Sequence, residues 1–397
     1  MSKVAIVSCY YVKNYGSMLQ AYAVQKMLDN MKIENENLVY VKSKDVKQLF
    51  SYAKRLLLDG NIRKTKLKIL KKKITSKLNK DYDINFKKRY KKFEEFKLKY
   101  FKVSKPYHGY KNLEKSSEDY DAFVLGSDQL WHPMNLENHY FTMEFISDNK
   151  PKITYATSFG VSEIPKNQIE KTKKYLNRIE YISIREEAGK KIIKELTGRD
   201  VPVVLDPTFM LNVEEWEEIQ PKEKVYTNNK YIFCYFLGDN QEHRDVVTSI
   251  KKLTGYDIVT LPHIDEIAKS DKNFGDAKLY DVGPSEFINL IKNAEIVCTD
   301  SFHCTAFSIM YEKDFITFKR FKNSSKASTN SRIVSLLGLL NLSDRLYNGE
   351  ENIENILNKE MDYLKVKNEL EKLRIKTKSY IDDAINKSLK DIEVQKW

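Results

Sequence analysis

The sequence lacks a long hydrophobic run, because no stretch reaches the roughly 18 uninterrupted apolar residues that a membrane-spanning helix requires. The segment Met1–Cys9 also lacks the charged-then-apolar leader and cleavage site of a secretory signal peptide. We therefore expect the protein to stay in the cytoplasm.

Cysteine is scarce as well, with four residues in 397: Cys9, Cys234, Cys298 and Cys304. They are scattered, so the sequence indicates neither a disulfide framework nor a CxxC metal site. The sequence has no GxGxxG, P-loop or HExxH pattern, which argues against dinucleotide, ATP and zinc-protease chemistry. No cluster of ligand residues calls for a metal, and we expect neither a metal nor a cofactor.

The net charge of +12 is concentrated in one segment. Residues Lys54 to Lys105 contain 20 Lys and Arg against five acidic residues, a net charge of +15, so the rest of the chain carries −3. Apolar residues recur in this segment at helical spacing, which predicts a basic helical hairpin inserted in the first domain. Three interpretations stay open: a solvated lysine face, contact with an anionic membrane or lipid-linked substrate, and nucleic-acid binding. Because no known nucleic-acid-binding motif is present, we expect no nucleic-acid partner.

The order of apolar and polar segments predicts an α/β fold. Short apolar strands alternate with helical segments, which indicates parallel sheets with helices on both faces. At 397 residues the chain is longer than a domain with a single hydrophobic core usually is. We predict a first domain over residues 1–210, with the basic insert at about 54–105, a second over 225–345, and a C-terminal helical segment over 350–397. The predicted strands are Val4–Cys9, Asp121–Leu125, Ile153–Ala156, Tyr181–Ile184, Val201–Leu205, Tyr231–Phe236, Asp257–Leu261, Glu295–Thr299 and Phe315–Phe318.

In open α/β sheets, ligands bind beyond the carboxyl ends of the strands, so the polar residues that follow each strand are the candidates for a site. After the first strand, Asn14, Gly16 and Ser17 open a helix whose N-terminal N–H groups suit an anion. A plain helix cap at Ser17 explains the same residues.

A second candidate segment follows the predicted strand that ends at Leu125. Here Ser127, Asp128 and Gln129 are positioned to contact a ligand, and Trp131 offers a flat apolar face to a sugar ring. A turn with an Asx cap is the alternative.

A third candidate is Arg185, the first charged residue after the predicted strand Tyr181–Ile184. Its planar guanidinium can bind a phosphate or a carboxylate through two parallel hydrogen bonds. A structural salt bridge to Glu186 or Glu187 is the alternative.

The most informative segment is Asp300–Thr305, which follows a predicted strand and opens a helix. His303 at a helix N-terminus can exchange a proton near neutral pH while Asp300 and Ser301 flank the same site. A purely structural histidine is the alternative. Cys304 also raises the possibility of a thiol nucleophile.

Taken together and in this order, these segments resemble the polysaccharide pyruvyl transferase family. The likeness extends from Val4 to about Leu342, and Cys304 departs from the glycine that the family commonly has after its histidine. The segments that carry it are Asn14–Tyr22, Tyr120–Trp131, Tyr155–Gly160, Ser183–Glu187, Leu205–Thr208, Thr299–His303 and Asn330–Ile333.

The resemblance implies a GT-B-like architecture, in which two Rossmann-like domains face each other across a cleft. It assigns the catalytic histidine to His303 and the donor-binding arginine to Arg185, and it places Arg332 beside the cleft. Phosphoenolpyruvate is the implied donor, and a glycan or lipid-linked sugar is the implied acceptor, with Asp300, Asp128 and Gln129 available to hold acceptor hydroxyls. Two other functions stay open: a GT-B-type glycosyltransferase with a nucleotide-sugar donor, and a non-catalytic basic binding protein.

Overall fold

Short runs of apolar and aromatic residues form two parallel sheets in the computed structural model, which describes residues 2–42, 80–264, 268–321, 330–349 and 352–395. One sheet is built from each half of the chain, and helices pack on both. The α/β class predicted from the sequence is confirmed. The first part of the predicted basic hairpin, residues 54–79, lies outside the described residues.

The N-terminal sheet has five strands in the order β3-β2-β1-β4-β5, and every pairing is parallel. Isolated bridges at Tyr181, Ile184 and Val203 continue it beyond the last strand. The predicted strands Tyr181–Ile184 and Val201–Leu205 are therefore single bridges rather than full strands. The strands are β1 (Lys3–Val7), β2 (Glu34–Val41), β3 (Val103–His108), β4 (Ala122–Leu125) and β5 (Lys152–Thr154).

The C-terminal sheet has six parallel strands in the order β11-β10-β9-β6-β7-β8. Its central pair, β6 and β9, aligns Cys234 with Cys298, and both thiols are fully buried. The strands are β6 (Tyr231–Tyr235), β7 (Asp257–Thr260), β8 (Ala277–Lys278), β9 (Ile296–Thr299), β10 (Asp314–Phe318) and β11 (Leu346–Tyr347).

Five of the helices begin at a polar side chain that caps the first turn. Asn14 caps the first helix, and Gly255 ends the helix that follows β6 in the left-handed conformation, where glycine is favoured. None of the helices in the described ranges is long and apolar enough to cross a membrane. The helices are α1 (Tyr15–Asn30), α2 (Lys80–Tyr100), α3 (Tyr110–Glu114), α4 (Ser116–Asp119), α5 (Ile169–Leu176), α6 (Glu187–Thr197), α7 (Val213–Glu217), α8 (Gln241–Thr254), α9 (Pro284–Asn293), α10 (Phe302–Met310), α11 (Ser331–Leu339), α12 (Ile353–Asn358) and α13 (Tyr363–Gln395).

One hydrophobic cluster joins the two halves of the molecule. It includes residues of α1 and α2 together with residues of α9 and α10. Tyr15 at the start of α1 stacks on Phe287 of α9 with ring centroids 4.4 Å apart, and its hydroxyl donates to the Val282 carbonyl at 2.8 Å. Because these contacts are shared, each domain supplies part of the other's core.

Helix α2 is the described part of the basic insert, and it bridges the two domains. Its side chain Arg89 is buried and donates to the backbone carbonyls of Pro262, Leu279 and Tyr280 in the C-terminal domain. Lys92 forms an ion pair with Glu286 at 2.7 Å. The helical period predicted for this part of the insert is confirmed. The inner face of α2 packs in the hydrophobic cluster that joins the two domains.

The last helix, α13, returns to the N-terminal domain. Its Arg374 donates to the Phe209 carbonyl at 2.7 Å, and Tyr380 donates to the Thr154 carbonyl at 2.9 Å. Ile381 and Ile385 pack in the cluster beneath the N-terminal sheet. This helix therefore covers one face of that sheet.

Candidate active site

The carboxylate of Asp206 lies where the two domains meet. Asp206 follows the bridge at Val203, and its Oδ1 accepts from the Thr208 backbone N at 3.0 Å and from the Thr208 hydroxyl at 2.8 Å. Its Oδ2 accepts from Arg185 Nη1 at 2.6 Å and from Ser127 Oγ at 2.8 Å. The side chain is fully buried, so this oxygen forms the polar centre of the junction.

Arg185 reaches this centre from the N-terminal domain. Its guanidinium lies 4.5 Å from the ring centroid of Phe302, which belongs to the C-terminal domain, and Nη2 lies 3.8 Å from Asp128 Oδ1. Nε and Nη2 are buried and have no hydrogen-bond partner among the described residues. The partner of Arg185 is Asp206, so the alternative of a salt bridge to Glu186 or Glu187 is wrong.

His303 reaches the same carboxylate from the C-terminal domain. It lies in the first turn of α10, which Ser301 caps by accepting from the Cys304 backbone N. His303 Nε2 lies 3.6 Å from Asp206 Oδ2, an ion-pair distance longer than a hydrogen bond. A methyl group added at Gly16 would lie 2.0 Å from His303 Nδ1. The start of α1 therefore abuts the imidazole, and only glycine leaves room for it.

The electrostatics of the junction keep two carboxylates ionised. Burial alone would raise the pKa of Asp206, but the nearby His303 and Arg185 outweigh it and hold that pKa well below its usual range. Burial also opposes ionisation of Asp128, and Arg185, His303 and Arg332 together lower its pKa. Both groups therefore remain anionic at neutral pH.

Asp128 links the first two candidate segments. Its Oδ2 accepts from Ser17 Oγ at 2.6 Å, and the Ser17 backbone N donates to Asn14 Oδ1 at 3.2 Å in the cap of α1. The backbone of Asp128 has a φ of 80°, in the left-handed region that a non-glycine residue rarely adopts. Such strain concentrates at functional sites, where the surroundings hold it.

A second guanidinium, that of Arg332, also lies near Phe302, and its Nη1 is 3.9 Å from Asp128 Oδ1. It is buried, and its carbon is 5.9 Å from the centroid of that ring. With the amide oxygen of Gln129 turned toward it, Gln129 accepts from Nη2 at 2.6 Å and from Nε at 3.2 Å. Burial and the neighbouring Arg185 lower the pKa of Arg332. The junction thus holds two buried positive side chains around one aromatic ring.

The Asp300 carboxylate binds backbone N–H groups and holds a loop in position. Its two carboxylate oxygens accept from the backbone N–H groups of Leu237 and Gly238 at 2.7 and 2.9 Å. It therefore fixes the loop after β6 against the start of α10. A contact between Asp300 and an acceptor sugar stays a prediction.

Two sequence expectations near the site are not met. Trp131 is buried, its Nε1 donates to the Phe141 carbonyl at 3.1 Å, and its ring packs on Phe159. The expectation that it offers a face to a sugar is wrong, because aromatic neighbours cover the ring. The Cys304 thiol is fully buried and burial raises its pKa, which disfavours the alternative of a thiol nucleophile.

The site also contains residues that we did not single out from the sequence. These are Asp206 and Phe302. Glu186, named there only as an alternative partner of Arg185, has its Oε1 accepting from Ser158 Oγ at 2.8 Å. The available signal for Asp206 was a carboxylate directly after an apolar strand segment. Phe302 gave no such signal, because an aromatic residue at the start of an apolar helix is typical of a core position.

Comparisons with known proteins were made for sequence and for structure. A family model described as "Polysaccharide pyruvyl transferase" matches residues 14–320. No curated protein sequence matches the chain.

The similar solved structures include UDP-N-acetylglucosamine 2-epimerase from Rickettsia bellii, at 8% identity and a TM-score of 0.49, with 97% of each chain covered. UDP-GlcNAc 2-epimerase from Methanocaldococcus jannaschii has 13% identity and a TM-score of 0.48, with 95% of this chain and 99% of that chain covered. MurG from Acinetobacter baumannii has 8% identity and a TM-score of 0.45, with 98% of this chain and 100% of that chain covered. No activity is inferred from similarities at this level.

Proposed function

The chain belongs to the polysaccharide pyruvyl transferase family, and from that premise we propose that it moves a pyruvyl group from phosphoenolpyruvate to two hydroxyls of a sugar, forming a ketal. The sugar would be part of a surface polysaccharide or of its lipid-linked precursor. The observation that carries the proposal is the meeting of Arg185 and His303, from different domains, at the carboxylate of Asp206.

The donor carries a phosphate and a carboxylate on one small molecule, so its site needs at least two sources of positive charge. Arg185 has two buried donor atoms without a partner in the described part of the chain, and Arg332 lies near the same Phe302 ring. These two guanidinium groups would bind the two anionic groups of the donor. Because both are buried, their interaction with an anion is stronger than it would be in water.

The acid and base of the reaction would be His303, held by Asp206. A protonated imidazole gives its proton to the methylene carbon of the donor, which becomes a methyl group and leaves a positive centre at the neighbouring carbon. One sugar hydroxyl adds to that centre and returns its proton to His303. Phosphate then leaves with the proton of the second hydroxyl, which closes the ketal. The ionised Asp206 stabilises the positive imidazole during this cycle.

The acceptor would lie beside the N-terminal domain. Asp128, Gln129 and the capped start of α1 at Asn14 and Ser17 line that side of the junction. Their carboxylate, amide and hydroxyl groups are suited to hold sugar hydroxyls. The scheme needs no metal and no cofactor, because the enol phosphate is already an activated donor.

Two variants test the donor and acid–base roles separately. Arg185→Lys should weaken binding of phosphoenolpyruvate, because a point charge cannot reproduce the planar fork. His303→Ala should leave donor binding largely intact and reduce turnover by about 10²–10⁴-fold. Calorimetry measures donor affinity, and phosphate release with a pyruvylatable acceptor measures turnover. His108→Ala, at an exposed histidine, is the control.

Two results would contradict the proposal. One is near-normal phosphate release by His303→Ala. The other is thermal stabilisation of the protein by nucleotide-sugars without stabilisation by phosphoenolpyruvate, which would favour a glycosyltransferase.

We also propose that the protein works in the cytoplasm and contacts the inner face of the membrane through its basic segment. The net charge of +15 over residues 54–105 supports this, together with exposed lysines on the outer face of α2, such as Lys87, Lys88 and Lys91. Sedimentation with vesicles tests it, because binding should require anionic lipid and weaken with added salt. Equal binding to neutral vesicles would remove the electrostatic explanation.

A further inference from the structure

A cavity lies next to the candidate active site, at the carboxyl edge of the C-terminal sheet. Its volume is about 300 Å³, and its walls are residues that follow β6, β10 and β11. Strand β9, which leads to Asp300 and His303, lies between β10 and β6 in the sheet. The cavity, here called the β10 cavity, therefore neighbours the reaction centre without using its residues.

The β10 cavity is lined by two consecutive positive residues, Lys319 and Arg320. Arg320 Nη2 donates to the Asp300 carbonyl at 3.3 Å, and its Nε lies 3.8 Å from Asp300 Oδ2, beyond hydrogen-bond length. The Asp300 carboxylate is already bonded to two backbone N–H groups. Arg320 Nε is buried without a hydrogen-bond partner among the described residues. The positive charge of Arg320 is therefore only partly matched by protein.

The cavity is also lined by the start of α8, a helix of 14 residues capped by Asn240. Its N-terminal N–H groups add positive potential to the cavity. His243 in the first turn is 5% exposed, and its Nε2 faces Asn240 Nδ2 at 3.1 Å. Burial lowers the pKa of His243 to about 4, so the ring is neutral. The acidic lining residue, Glu242, has its carboxylate beside Gly349 at the β11 side.

We propose that the β10 cavity binds a diphosphate group attached to the acceptor sugar, while the sugar itself reaches His303. That the bound sugar is an acceptor rests on the proposed function, whereas binding of a diphosphate in the cavity does not depend on it. Two adjacent positive side chains and a helix N-terminus are suited to a group with several negative oxygens. Phe321 and Tyr347 line the same cavity and supply apolar surface for whatever is joined to the diphosphate.

Calorimetry of the full chain with inorganic pyrophosphate at low salt tests the site. Saturable binding is expected, and Lys319→Ala should weaken it about tenfold because one charge-assisted contact is lost. The control is Lys252→Ala, at an exposed lysine near the other end of α8. Phosphoenolpyruvate should bind with unchanged affinity to Lys319→Ala, and also to protein already saturated with pyrophosphate.

The outcomes separate this site from the proposed function. Competition between pyrophosphate and phosphoenolpyruvate for one site, unaffected by Lys319→Ala, would overturn the β10 cavity as a separate site. Absence of pyrophosphate binding would overturn it too. Pyrophosphate binding without binding of phosphoenolpyruvate would support the cavity and contradict the proposed donor. With the site established, tighter binding of uridine diphosphate than of pyrophosphate would indicate a nucleotide-linked sugar. Tighter binding of farnesyl diphosphate would indicate a lipid-linked one.

Discussion

One carboxylate, that of Asp206, makes the closest polar contacts between the catalytic candidates. Its Oδ2 binds Arg185 at 2.6 Å and lies 3.6 Å from His303. Each domain therefore supplies one nitrogen-bearing side chain to the same oxygen. Burying such charges costs solvation energy that their mutual attraction only partly returns. A group of charges of this kind at a domain junction is typical of a functional site rather than of a stabilising one.

The sequence predicted individual residues of the site better than their pairing. Arg185 and His303 could be named because each is a polar residue at the carboxyl end of an apolar strand segment. The partner of Arg185 could not, because Asp206 is separated from it by a helix and lies close only when the sheet edge is assembled. The approach of Gly16 to His303 depends on how two domains pack, which local sequence does not encode.

A substitution at Gly16 tests whether its close contact with His303 matters for activity. Gly16→Ala would place a methyl group 2.0 Å from His303 Nδ1, so the ring must leave its present position beside Asp206. We expect phosphate release to fall about a hundredfold whichever way the ring shifts, since a displacement of about 1 Å in a reacting group has effects of that size. The control is Gly338→Ala in α11, where a methyl group meets nothing within 4 Å. That variant should be active and more stable by roughly 0.5–1 kcal/mol. Normal turnover by Gly16→Ala would show that the position of His303 is not critical.

At the scale of elements, the strands with continuous apolar runs were predicted, whereas four others, β3, β8, β11 and β2, were not. The longest of these is β2. Its buried positions include Asn35 and Asn37, which do not match the hydrophobic pattern of a core strand. Asn37 is accommodated because its Oδ1 accepts from Ser8 at 2.7 Å and its Nδ2 donates to Gln25 at 3.1 Å. Side-chain partners from β1 and α1 thus replace the apolar contacts, and these partners are known only once the sheet has formed.

For helix α2 as well, the sequence predicted the element but not all of its contacts. Its period was correctly read as amphipathic, but the sequence did not reveal that one basic side chain faces inward. Arg89 is buried because three backbone carbonyls of the C-terminal domain accept its N–H groups.

Removing that side chain should weaken the connection between the domains. Arg89→Ala leaves three buried carbonyls without their donor, and we expect a loss of about 3 kcal/mol in the free energy of unfolding. Lys88→Ala, at the exposed neighbouring position, should change it by less than about 0.5 kcal/mol. Urea denaturation of the two variants and the wild type measures the difference. Equal stability of both variants would mean that the contacts of Arg89 do not stabilise the association of the two domains.

The contact between α8 and the loop after β7 predicts a specific response to acid. Asp271 accepts from Arg244 at 2.9 Å and from His263 at 2.7 Å. Burial alone would raise the pKa of Asp271, but these two partners lower it to about 2. Its unfolded value is about 3.9, so the ionised group stabilises the fold above that pH, and the contribution disappears as the pH falls toward 2.

Asp271→Asn should therefore lower the free energy of unfolding at pH 7 by at least about 2 kcal/mol. Its stability should also fall less steeply than that of the wild type between pH 5 and pH 3. Urea denaturation across this range gives both slopes. Parallel loss of stability in the two proteins would contradict the role assigned to this carboxylate.

At the scale of the whole molecule, one hydrophobic cluster spans the boundary between the two halves, beside further clusters that belong to each sheet. The cluster that contains Tyr15 and Phe93 from the first half also contains Phe287, Phe302 and Phe307 from the second. Neither half can bury these side chains alone, and the apolar area that each would expose on separation opposes independent unfolding. Helix α2 and the stack of Tyr15 on Phe287 add directional contacts to the same boundary.

We therefore expect the two domains to unfold in a single cooperative transition, although chains with two domains often unfold in two steps. In differential scanning calorimetry the van't Hoff enthalpy should approach the calorimetric enthalpy of the whole chain. Phe287→Ala should lower the free energy of unfolding by about 3–5 kcal/mol, because it removes a fully buried ring at the shared boundary. It should move the entire transition to lower temperature. A second transition in the wild type, or a variant in which half of the heat absorption stays in place, would show that the cores are separate. In that case the contacts of Arg185 and His303 with Asp206 could open without global unfolding.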